Sequence, residues 1–72
     1  MFELIDFGYD KAWLGHRWSI RAPDGSEARI YQSDNSGKFW VTSARHNTKR
    51  CDGFLSAQII ACEMLGLIQG PT

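Results

Sequence analysis

A chain of 72 residues with eight basic and eight acidic side chains carries no net charge at pH 7. That length allows one domain, residues 1–72, burying only about 60% of the surface its unfolded chain exposes, so its nine aromatic residues matter to the core. No apolar run approaches the roughly 20 residues of a membrane span, and Met1-Phe2-Glu3-Leu4-Ile5-Asp6 lacks a basic leader, so a cytoplasmic protein with no membrane partner is expected.

Along the chain, Phe2, Leu4, Ile5 and Phe7 suggest a strand, with Tyr9 to Leu14 open to a helical turn between Gly8 and Gly15. Arg17-Trp18-Ser19-Ile20-Arg21 alternates polar and apolar residues, the period of a half-buried strand. Ala22-Pro23-Asp24-Gly25 supplies turn chemistry, Glu27 to Gln32 alternates again, and Ser33 to Gly37 is a second turn. Lys38-Phe39-Trp40-Val41-Thr42 is the next alternating run. Residues 43–53 then read as a long basic connection, or as a strand running further than the alternation marks.

From Ser56 to Ile68 the residues favour a helix. Ala57, Ile60, Ala61, Met64 and Ile68 form its apolar stripe, Ser56 is the expected N-cap, and Leu55 is placed to staple onto Ile60. Gly70-Pro71 supplies a stop, with Gly66 an earlier alternative. Ile59, Leu65 and Leu67 widen the apolar arc, which offers a homodimer contact unless the rest of the chain covers it. The fold class is α+β: a small antiparallel meander of three to four strands with one C-terminal helix packed on one face.

Alternation assigns the two sheet faces. The helix side takes Trp18, Ile20, Ala28, Ile30, Phe39 and Val41. The outer side collects Arg17, Ser19, Arg21, Arg29, Tyr31, Lys38, Trp40 and Thr42, which is four cations, two aromatic rings and two hydroxyls. Such a face suits nucleic acid, since rings stack on bases and guanidinium groups neutralise phosphates or read guanine edges. It equally describes a plain solvated face, in which Arg–aromatic pairs across strands add a little stability.

The charges are also sorted. Residues 17–50 hold Arg17, Arg21, Arg29, Lys38, Arg45, Lys49 and Arg50 against Asp24, Glu27 and Asp34, a net +4. The first sixteen residues (Glu3, Asp6, Asp10, Lys11) and the last twenty-two (Asp52, Glu63) are each net −2. A basic centre of this kind attracts polyanions or acidic protein surfaces.

Gly53-Phe54-Leu55-Ser56 resembles the Gly-Phe-x-Ser/Thr that opens the helix in the AP2-type and phage-integrase arm-type DNA-binding domains, and Trp40 is similar to a Trp in their third strand. The resemblance spans about fifty residues and implies a sheet laid in the major groove, with Arg17, Arg21, Arg29 and Trp40 facing the bases. The chain departs from those families at Ile60 and Cys62, where they carry Ala, in a longer connection before Gly53, and in its zero net charge.

Little else points to chemistry. Cys51 and Cys62 do not make a disulfide framework, and with His16 and His46 they match no zinc-ligand spacing. A nucleophilic pair of Cys51 and His46 needs an orienting third group and an oxyanion hole, and beyond the adjacent Asp52 nothing supports one. No catalytic residue, metal or cofactor is therefore expected. Two functions remain. In the first, a nucleic-acid-binding module uses Arg17, Arg21, Arg29, Tyr31, Lys38, Trp40, Arg45, Lys49 and Arg50. In the second, a phage- or mobile-element-encoded inhibitor of the anti-CRISPR or transcription-inhibiting type engages a host protein through Trp40, Tyr31 and residues 45–50, Trp, Tyr and Arg being the usual hot-spot residues.

Overall fold

A computed structural model describes residues 2–68. Five strands, β1 (Glu3–Asp10), β2 (Gly15–Arg21), β3 (Glu27–Ser33), β4 (Phe39–Ser43) and β5 (His46–Cys51), form one antiparallel sheet in the order β1-β2-β3-β4-β5, followed by α1 (Phe54–Met64). The meander and the helix match the expected class, with one more strand than the upper expectation. The added strand is β5, in the stretch 43–53 that reads as a connection. It pairs Cys51 with Phe39, Trp40 with Arg50 and Val41 with Lys49. His-Asn-Thr-Lys-Arg-Cys shows no alternation because an edge strand exposed on both faces has nothing to alternate for.

Strand β1 extends through Tyr9, leaving only Lys11–Leu14 as the turn where a longer helical turn was open. Its pairing with β2 shifts register between Asp6 and Gly8, with Phe7 as the extra residue and Gly8 at φ +76°. That combination is a bulge of the kind only glycine enters without cost, and it bends the edge strand.

The predicted faces hold. Ile20, Ala28, Ile30, Phe39 and Val41 are buried on one side of the sheet against Ala57, Ala61 and Cys62 of α1. Two alanines one helical turn apart let the helix axis come close to the sheet. Trp18, Phe39 and Phe54 close one end of this core, with ring centroids 4.5–5.9 Å apart. His16 extends the stack, 4.1 Å from Trp18, and is tied at 2.5 Å to Asp6 of the edge strand.

The helix starts two residues before the expected Ser56. Gly53 is the N-cap, with its carbonyl accepting from Ala57 N–H at 3.0 Å and no side chain capping the first turn. Phe54, packed on Trp18, draws the chain into helix early, so Ser56 lies inside the first turn. Leu55 points outward, 71% exposed, and not onto Ile60 as a staple requires. The earlier of the two stops is used: Gly66 (φ +73°) donates to Glu63 and Leu67 N–H to Cys62, a Schellman ending. Gly70-Pro71 lies outside the described residues, and Ile68 falls beyond the helix, exposed. Among the described residues no helix is long and apolar enough to cross a membrane.

Candidate nucleic-acid interface

The sheet face opposite α1 is open, and its registers set side chains in rows running across the strands. One row reads Arg17 (β2), Tyr31 (β3), Trp40 (β4) and Arg50 (β5). Two aromatic rings thus sit side by side with a guanidinium at each end, the outer Cα positions about 14 Å apart at an inter-strand spacing of about 4.8 Å. The next row is Ser19, Arg29 and Thr42. Arg21 and Glu27 make the row beyond.

A groove of about 390 Å³ runs along the aromatic row, lined by Trp13, Arg17, Tyr31, Trp40, Thr42 and Thr48 among others. Trp13 was not among the expected site residues. It sits in the β1–β2 turn, 68% exposed, and reaches Tyr31 with ring centroids 6.4 Å apart. The signal that could have found it is the Gly15 that follows. Without a side chain at that position, β2 comes so close to Gln32 of β3 that the turn folds over the outer face.

Several contacts hold that turn in place. Asp10 accepts from Ala12 N–H at 2.9 Å with one carboxylate oxygen and forms a salt bridge to Arg17 at 3.3 Å with the other. Leu14 adopts φ +54°, rare for a branched residue, and its carbonyl accepts from Asp34 N–H at 3.0 Å. Tyr9 donates its hydroxyl to the Asp34 carboxylate at 2.6 Å, which raises the phenol pKa.

The expected basic residues separate into groups. Arg17 is held by Asp10 and lies over the Phe7 ring, and its buried Nε makes no hydrogen bond within the protein. Arg21 is bound by Glu27 through Nε at 3.2 Å and a terminal nitrogen at 2.9 Å, with Glu3 at 3.9 Å. Lys38 is bound by Asp52. Among the described residues Arg29, Arg45, Lys49 and Arg50 form no salt bridge, and Arg29 and Arg50 are the two on the outer face. Lys49, opposite Val41, projects to the helix side of the edge strand. Arg45 occupies the β4–β5 turn, at the end of the sheet away from Trp13 and near Asp24. Ser19, expected to be exposed, is 2% exposed beneath its neighbours, and Trp40 and Tyr31 are half-buried.

Hydrogen bonds pull four carboxyls below their ordinary values: Asp6 by His16, Asp24 by Ser26, Glu27 by Arg21 and Asp52 by Lys38. Carboxyl pKa values depressed in the folded state contribute stability that is present above the unfolded values, near pH 4, and lost as the pH falls through the folded ones. A melting series carried down to about pH 2 should therefore show the midpoint falling below about pH 4, and less steeply in Glu27→Gln, which lacks one of the four groups.

Among the described residues no three His, Cys, Asp or Glu side chains come together as metal ligands. Cys51 and Cys62 are free thiols, and burial pushes the Cys62 pKa up, keeping it protonated. His46 pairs instead with Ser43 at 2.8 Å. Compared with family models, curated proteins and solved structures, the chain matched none of them.

Proposed function

We propose that the protein is a nucleic-acid-binding module whose contact surface is the open sheet face. The observation that carries this reading is the row Arg17–Tyr31–Trp40–Arg50, which sets two aromatic platforms between two guanidinium groups on a face no other element covers. Rings of this kind stack on bases, and Arg29 and Arg50, which form no internal salt bridge among the described residues, can neutralise phosphates.

The test is fluorescence polarisation of labelled oligonucleotides at about 50 and 200 mM salt. Micromolar binding that weakens with salt is expected. Trp40→Ala should weaken it by about 1–3 kcal/mol, the worth of one base–ring stack, and Arg29→Ala should weaken it and flatten the salt dependence. No binding at low salt removes the reading.

Leu55 and Ile59, one turn apart on α1 and both exposed, favour a second reading in which the chain occupies a host protein or a second copy of itself. A protein without oligonucleotide affinity that is retained by one discrete host protein would meet that description.

A further inference from the structure

We infer that the outer face takes single-stranded nucleic acid, with one unpaired base held in the groove among Trp13, Tyr31 and Trp40. This rests on the reading above and narrows it. Aromatic rings recognise the faces of bases, and in a duplex those faces are covered by neighbouring base pairs, leaving only edges in the grooves. A surface whose central row is Tyr31 and Trp40 therefore offers a duplex little that it can use, and offers an unstacked base two platforms.

The rings are arranged to admit a third. Trp13 and Tyr31 adjoin, but Trp40 stacks on neither of them, and the groove of about 390 Å³ runs between. Rings gathered only for packing close on one another, as Trp18, Phe39 and Phe54 do on the opposite face. Trp13 is also set where it stands at some cost. Leu14 is held at positive φ, and the turn is tied to Asp34 and Asp10. The turn stands beside the aromatic row at one end of the sheet, where Trp13 gives the groove a wall against which a single strand can lie. Arg50 in the aromatic row and Arg29 in the next row, neither held in a salt bridge among the described residues, stand by for the phosphates on either side of the inserted base.

The experiment compares labelled oligothymidylate and oligouridylate of about 15 nucleotides with a duplex of the same length, using wild type, Trp13→Ala, Trp13→Phe, Trp40→Ala and Arg29→Ala. Either single strand should bind at least about tenfold tighter than the duplex. Trp13→Ala should lower single-strand affinity about 5- to 150-fold, the worth of one stacked base, with Trp13→Phe recovering most of it. Because Trp13 is largely exposed, its thermal midpoint serves as a folding control. Equal or tighter duplex binding, or a Trp13→Ala protein that binds single strands like wild type, overturns the inference. If Trp40→Ala and Arg29→Ala still lose affinity in that case, the outer face remains the binding surface. Absence of binding to every probe removes both.

Discussion

Gly15→Ala is expected to lower the thermal midpoint by about 4–24 °C and to abolish the groove. Gly15 is the first residue of β2, buried, and paired with Asp10 on one side and Ser33 on the other. A Cβ built there lies 1.9 Å from the Gln32 carbonyl oxygen, 3.0 Å from its carbon and 3.5 Å from Ser33 Cα. All three are backbone atoms, so no rotamer change relieves the clash. The strands must part, which breaks the Gly15–Ser33 and His16–Gln32 pairing and pulls on the Leu14–Asp34 bond that holds the Trp13 turn. Overpacking of this kind costs about 1–3 kcal/mol, and a domain of this size loses about 4–8 °C for each kcal/mol. Gly8→Ala is the contrast. It meets no atom within 4 Å and carries only the strain of its positive φ, so it should cost about 1–2 kcal/mol and leave Trp13 fluorescence unchanged.

The three alternating runs and their turns are visible in the sequence because each strand has one wet and one dry face, and Trp18, Ile20, Ala28, Ile30, Phe39 and Val41 fall on the helix side as their parity requires. The outer row is legible for the same reason. Strand β5 is not, because both of its faces meet solvent, and neither is the bulge at Phe7, which changes parity within β1. The helix start misleads because Ser56 has the chemistry of a cap, while packing of Phe54 on Trp18 decides where the helix begins. Within the site, residue type says which side chains can bind phosphate, but pairing decides which are free to. Arg17, Arg21 and Lys38 look the same as Arg29 and Arg50 in the sequence, and only the fold brings Asp10, Glu27 and Asp52 to the first three. Trp13 is hidden by its place in a turn, since its contact with Tyr31 depends on the close approach at Gly15.

That division of the cations sets the other large effect. A double substitution, Arg29→Ala with Arg50→Ala, should remove most oligonucleotide binding at low salt, whereas Arg21→Ala with Lys38→Ala should remove much less. Arg29 and Arg50 hold no internal salt bridge among the described residues, and only the longer-range attraction of Glu27 and Asp52, each already bound to another cation, acts on them, so little within the protein competes for them. Stability should consequently change by less than about 0.5 kcal/mol, as for most surface substitutions. Each phosphate contact with a single strand contributes about 0.7 to the slope of log affinity against log salt, so two lost contacts flatten that slope by about 1.4. Between about 50 and 200 mM the gap between wild type and the double variant should then narrow by about sevenfold. Salt titration of the two proteins measures this directly. A gap that stays constant with salt would mean that Arg29 and Arg50 act by packing or by base contact and not through phosphate. Equal loss in the Arg21 and Lys38 pair would mean that the internal ion pairs open on binding, which places the whole basic centre of the chain, and not two of its arginines, at the interface.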